Sequence, residues 1–173
     1  MFRAGLVMLT LLVAGCSGDV AGEFPPEPPE DAAELQELQR LFDDGGTMVL
    51  ESPAFPNLGA LPAEFGCGGI SPPLRWSEVP EKAAELWLTL TEVVDPGGAR
   101  TNWAVSGIDP DSSEVAAGEV PPGGTEQTTS YGGAGYRGPC PGEDESHRYV
   151  FRLESIGSTG ASLDSASLIV TVP

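Results

Sequence analysis

A single histidine, His147, occurs in 173 residues, and eight lysines and arginines stand against 26 aspartates and glutamates. A net charge of −18 opposes association with nucleic acid or with an anionic lipid surface. An anionic ligand would therefore have to be held by local donors rather than by the overall field. Cysteine is scarce as well, at three residues, and without further Cys or His partners these make a poor zinc site. A serine hydrolase needs a nucleophile within reach of an imidazole that a third group orients. Ser71, Ser130 and Ser146 can be proposed as partners of His147, but the G-x-S-x-G elbow is missing. Asp109 with Asp111, and the acidic run 143–145, lack the alternating ligands and central glycine of a calcium loop. These absences predict a protein that is not an enzyme and carries no metal or cofactor. Repeats and heptads are also missing.

Apolar length is limited to one place, the start, "MFRAGLVMLTLLVAGC". Arg3 precedes an apolar stretch over residues 5–15, which at about 1.5 Å per residue is too short to cross a hydrocarbon core of about 30 Å as a helix. It reads as a secretory signal over residues 1–15. Its end, "LVAGC", resembles the bacterial lipobox, in which small residues precede a cysteine that is acylated and becomes the first residue of the mature chain. Cys16 is then a lipid anchor, and acyl chains at about 0.8 kcal/mol per buried methylene hold a protein stably on a membrane. The expected location is a bacterial membrane, facing periplasm or exterior, with Ser17 compatible with the outer membrane of a Gram-negative cell. The remaining pair, Cys67 and Cys140, could form a disulfide in such an exported protein. Closing a loop of that length stabilises by roughly 4 kcal/mol in the chain-entropy model.

Residues 16–46 carry nine acids against Arg40 alone. Pro25, Pro26, Pro28 and Pro29 favour extended geometry, so this part reads as a stiff acidic tether. Asp31 could cap a short helix with Leu35, Leu38, Leu41 and Phe42 on one face. From about Thr47 to the end, short alternating stretches are punctuated by glycine and proline, which number 23 and 17 and imply many turns. In "ELWLTLTEVV", Leu86, Leu88 and Leu90 face one way and Trp87, Thr89 and Thr91 the other, the period of a half-buried strand. "NWAVSGI", "RYVFRLES" and "SLIVTV" behave alike. Strands separated by connections of very unequal length predict an all-β domain over residues 47–173, built of two antiparallel sheets.

The long connections 106–135 and 138–146 are candidates for function. In the strand that follows the second, His147, Tyr149, Phe151 and Leu153 share one face. Phe151 and Leu153 belong to the core, so His147 and Tyr149 lie at its entrance, where an imidazole and a phenol can donate hydrogen bonds to an anion or carbonyl between apolar walls. The stretches "SPAF", "SPPLRWSEVP", "NWAVSGI" and "SYGGAGYRGPCPGEDESHRY" together resemble the phosphatidylethanolamine-binding protein family, in its bacterial Raf kinase inhibitor-like branch, over residues 52–155. The resemblance implies Greek-key connections between the sheets and a small pocket for phosphate, phosphate-ester or carboxylate groups. Carried onto this chain, His147 and Tyr149 would be donors, and Gly138, Pro139 and Pro141 would shape the loop above them. Trp76, Pro72 and Pro73 would form the opposite wall, and Tyr136 would support the loop from beneath.

Several positions depart from that pattern. "EVVDPGG" leaves Asp95 at the second aspartate of the family's DPDAP turn and Val93 at the first. Asn102 replaces a histidine before Trp103 and can donate a hydrogen bond but carries no positive charge. Gly142 replaces a proline, and Glu143, Asp144 and Glu145 add carboxylates beside it, which weakens affinity for a dianion. The segment "GSTGASLDSASLIVTV" is too short for the helix that bacterial members commonly carry before their last strand, which implies a more open pocket. The sequence thus predicts a membrane-anchored, non-catalytic binding lipoprotein with a partly degenerate anion pocket. The alternative is an interaction or inhibitor module for a protease or envelope partner, with a lapsed pocket. A hydrolase ranks behind both.

Overall fold

The computed structural model describes residues 33, 36, 37, 39, 40, 45–94, 98–142 and 147–172. Cys16, Asp95, the acidic run 143–145, Ser146 and the apolar positions 35, 38, 41 and 42 of the expected helix lie outside the described residues; positions 33, 36, 37, 39 and 40 are helical. Among the described residues nine strands follow: β1 (Val49–Glu51), β2 (Gly59–Ala60), β3 (Leu74–Ser77), β4 (Ala83–Val94), β5 (Gly98–Ile108), β6 (Glu114–Val115), β7 (Thr125–Glu126), β8 (His147–Gly157) and β9 (Ser162–Val172). One turn of 3₁₀-helix covers Ala63–Phe65.

A six-stranded sheet in the order β2-β9-β8-β4-β5-β7 faces a three-stranded sheet in the order β1-β3-β6. The two-sheet all-β expectation holds. The chain crosses between sheets from β1 to β2, β2 to β3, β3 to β4, β5 to β6 and β6 to β7, so sequence neighbours are often not sheet neighbours, as a Greek-key arrangement requires. One pairing is parallel: the two-residue β2 runs alongside the end of β9. The segment before β2 is tied to that edge by Leu58 N–H donating to the Ile169 carbonyl at 2.7 Å and by Ile169 N–H donating to Asn57 Oδ1 at 2.8 Å.

Alternation decides the core. Leu86, Leu88 and Leu90 are fully buried while Trp87 between them is 44% exposed, because successive side chains of β4 point to opposite faces of the sheet. Tyr149, Phe151 and Leu153 of β8 join the same inner face and pack with Leu50, Leu74 and Trp76 of the small sheet. The outer face has its own small cluster, Val150 with Ile169, flanked by Leu58 and Val93. β8 and β9 are joined by a tight turn in which Gly157 N–H donates to the Ala161 carbonyl at 2.8 Å and Gly160 takes a positive φ of 78°. This turn leaves no space for a helix before the last strand, as the short segment implied.

Candidate ligand-binding site

β4 carries the centre of the site. Glu92 is the next residue in the series Leu86, Leu88, Leu90, so the strand's two-residue period turns its carboxylate toward the interior, where it is 3% exposed. Its register partner on β8 is Tyr149, and its partner on β5 is Arg100. Tyr149 Oη donates to Glu92 Oε1 at 3.2 Å, and His147 Nδ1 lies 2.5 Å from the same oxygen. Tyr131, in the connection after β7, donates to Oε2 at 3.0 Å, and the Arg100 guanidinium stands 3.8 Å from that oxygen.

Burial by itself would raise the Glu92 carboxyl. The hydrogen bonds from His147, Tyr131 and Tyr149, with the charge of His147, together hold it below its ordinary value. The Tyr149 hydroxyl is pushed up, first by burial and then by the Glu92 charge and hydrogen bond.

The loop 136–142 closes the site from above. Tyr136 is packed edge-on against Trp103, with ring centroids 5.4 Å apart, and donates to the Phe65 carbonyl at 2.6 Å. It thus ties the loop to the 3₁₀ turn, the supporting position expected for it. A side chain at Gly138 would overlap the Gly66 carbonyl oxygen, so glycine permits the loop's close approach to that turn. Cys67 and Cys140 are joined by a disulfide with an S–S distance of 1.99 Å. At the loop's start, Asn102 Nδ2 donates to the Arg137 carbonyl at 3.2 Å, and Arg137 N–H donates to the Asn102 carbonyl at 3.0 Å. The Arg137 guanidinium lies over the Tyr131 ring, 4.1 Å from its centroid.

These residues enclose a cleft of about 210 Å³ that His147, Tyr149, Asn102, Gly138, Pro141, Glu92 and the two arginines help to line. It is smaller than the roughly 300 Å³ at which pockets for drug-sized ligands begin, and it suits a small polar group. Pro139 is buried in the loop without lining the cleft. Trp76 and Pro72, expected as the opposite wall, are not brought to it. Trp76 faces the core from β3 and donates its indole N–H to the Ser112 carbonyl at 2.6 Å, while Pro72 is buried just before β3. The physical reason is the sheet crossing: β3 belongs to the small sheet and pairs with β1 and β6, whereas the cleft opens between β4, β5, β8 and the loops after β7.

Of the serines considered beside His147, Ser71 Oγ donates to the Glu119 carbonyl at 3.3 Å and Ser130 Oγ accepts from Thr101 N–H at 2.9 Å. Among the described residues, no group of three or more His, Cys, Asp or Glu side chains is placed to hold a metal ion.

Four lining residues, Glu92, Arg100, Tyr131 and Arg137, escaped the sequence reading. Val93 occupies the first aspartate position of the family turn, but it lies on the outer face beside Val150 and Ile169, and its neighbour Glu92 supplies the inward carboxylate. The alternation from Leu86 through Leu90, extended by one step, is the signal that finds Glu92. Tyr131 has no such signal, since it reaches Glu92 from a loop 39 residues away in sequence.

The sequence profile described as phosphatidylethanolamine-binding protein matches residues 51–166. The chain is 36% identical over 155 residues to "Putative lipoprotein LppC" of Mycobacterium tuberculosis, covering 87% of this chain and 75% of the relative. It is 38% identical over 116 residues to a UPF0098 protein of Methanothermobacter thermautotrophicus, covering 63% of this chain and 76% of that one. Among solved structures, the "Putative PhosphatidylEthanolamine-Binding Protein (PEBP) Homolog CT736" of Chlamydia trachomatis matches with a TM-score of 0.65 and 28% identity, over 73% of this chain and 97% of its own. YbcL of Escherichia coli matches with a TM-score of 0.63 at 19% identity, over 72% and 97%, and shares the fold. The chain belongs to the phosphatidylethanolamine-binding protein family.

Proposed function

We propose that this protein is a non-catalytic binding lipoprotein, exported and held on a bacterial membrane through Cys16, whose cleft takes a small anionic or phosphate-ester group. The observation that carries the reading is the convergence of His147, Tyr149, Arg100 and Arg137 on one small cleft under a loop fastened at Tyr136, Gly138 and Cys140. The basic side chains supply locally what the net charge of −18 denies globally. The lipobox "LVAGC" and the similarity to a mycobacterial protein named as a lipoprotein support the anchoring. The bonding of Ser71 favours binding over hydrolysis by that residue, because its hydroxyl donates to the Glu119 carbonyl rather than to the imidazole.

The test is an NMR titration of the full chain in detergent micelles with phosphate, phosphoethanolamine and acetate. A saturable shift of the His147 ring resonances with at least one of these ligands is expected, together with loss of the accompanying Tyr149 shift in His147→Ala. Resonances that stay in place up to millimolar ligand would overturn the anion reading. The protein's role would then fall to its surfaces, such as the outer sheet face that exposes Trp87 at 44%.

A further inference from the structure

The donors of the cleft are not offered to an incoming anion in the way a simple phosphate pocket would offer them. Tyr131, Tyr149 and His147 all direct hydrogen bonds to one buried carboxylate, Glu92, and Arg100 stands against its second oxygen. The deep part of the cleft therefore presents an ionised carboxylate whose charge is already countered from within the protein. Beside it is a second acceptor. Asn102 lines the same cleft and is 2% exposed; its amide nitrogen bonds the Arg137 carbonyl, while its Oδ1 is buried with no hydrogen-bond partner among the described residues. A buried acceptor without a donor is costly to leave so. An oxyanion pushed against a carboxylate and a bare amide oxygen meets repulsion unless it brings a proton of its own.

We infer that the cleft reads the proton on its ligand: it takes an oxyanion that carries a hydroxyl, such as hydrogen phosphate or a singly ionised phosphate monoester, and rejects oxyanions without one. The ligand's P–OH donates to Glu92, beside Asn102 Oδ1, and its charged oxygens face Arg100 and Arg137. Every charged or titratable described group that faces Glu92 enters this account: His147 and Tyr149 from β8, Arg100 from β5, and Tyr131 with its stacked Arg137 from the connection after β7. Glu92 becomes the residue that sets specificity. The inference rests on the anion-binding reading above and refines it.

Phosphate and sulfate are nearly equal in size and shape, but near neutral pH only phosphate carries a proton. Titration of the full-length protein in detergent with each ion, read by the His147 and Tyr149 resonances and by calorimetry, separates the cases. Phosphate is expected to bind at least about tenfold more tightly than sulfate, the scale of one buried acceptor left unpaired. In Glu92→Gln, whose amide can donate to an unprotonated oxygen, sulfate affinity rises and the ratio closes to within about threefold on the same scale. Equal binding of the two ions by the wild type, or a preference that survives unchanged in Glu92→Gln, overturns the inference and leaves the anion reading standing. Binding of neither ion overturns both. The wild-type ratio requires no variant and decides by itself should Glu92→Gln not fold.

Discussion

Glu92 shows how much one residue's placement can decide. A carboxylate at the inner end of β4 survives burial because a phenol from β8, a phenol from a loop and an imidazole all donate to it. Asp164 is a second case: burial opposes its charge, but the N–H groups of Thr47, Ser165 and Met48 and the Thr47 hydroxyl hold the carboxyl below its ordinary value. A group whose pKa is depressed in the folded state stabilises the fold above its unfolded pKa and loses that contribution as the pH falls through the folded value. For these two carboxyls the unfolded values are 4.5 and 3.8. Thermal melts should therefore be level from neutrality down to about pH 5 and fall steeply below it. Glu92→Gln should melt lower at neutral pH and lose less on acidification. A wild-type melting temperature unchanged between pH 5 and pH 3 would contradict this assignment of charge.

Elements set the geometry in which those residues act. The loop 136–142 has little regular structure, yet it is held by the Tyr136 bond to Phe65, by the Asn102 amide and by a disulfide across 73 residues of chain, worth roughly 4 kcal/mol in the chain-entropy model. Gly138 matters because backbone meets backbone there: its added methyl would meet the Gly66 carbonyl, which no rotamer change can move aside. Gly138→Ala should lift the loop from the 3₁₀ turn and lower stability by about 1–3 kcal/mol, the usual scale for overpacking. Urea unfolding measures the loss, and the phosphate response of His147 should weaken with it. Gly132→Ala is a suitable control, because a side chain at Gly132 would meet no atom within 4 Å, although its positive φ of 75° carries a small strain of its own.

At the scale of the whole molecule, the strong negative charge and the proposed anchor act together. A chain of net charge −18 is repelled by anionic lipid, so attachment would have to come from acyl chains rather than from the protein surface. Cys16→Ser should move the protein from the membrane fraction to the soluble fraction of the cell envelope, with the His147 titration unaffected. Retention of the variant on membranes would place the anchor elsewhere.

Much of this was legible in the sequence. The period of β4 and β8, the turn-rich connections and the position of His147 and Tyr149 at the mouth of the core all follow from alternation, which is a local property of an extended chain. The motifs "SPPLRW" and "GYRGPCPG" are likewise strings of adjacent residues. What sequence determined, then, was the fold class, the inner face of each long strand and the identity of the loop above the site.

Tertiary structure alone decided which side chains meet. Trp76 was assigned to the cleft by motif and lies instead in the core beneath the small sheet, because the chain crosses between sheets after β3. Tyr131 joins Glu92, and Arg137 lies over the Tyr131 ring, from a connection whose course is set by pairing elsewhere. Whether Cys67 meets Cys140 depended on the same long-range docking of loop on turn. Strand periodicity fixes the direction of a side chain, but contact between residues tens of positions apart is fixed only when both sheets have closed on their common core.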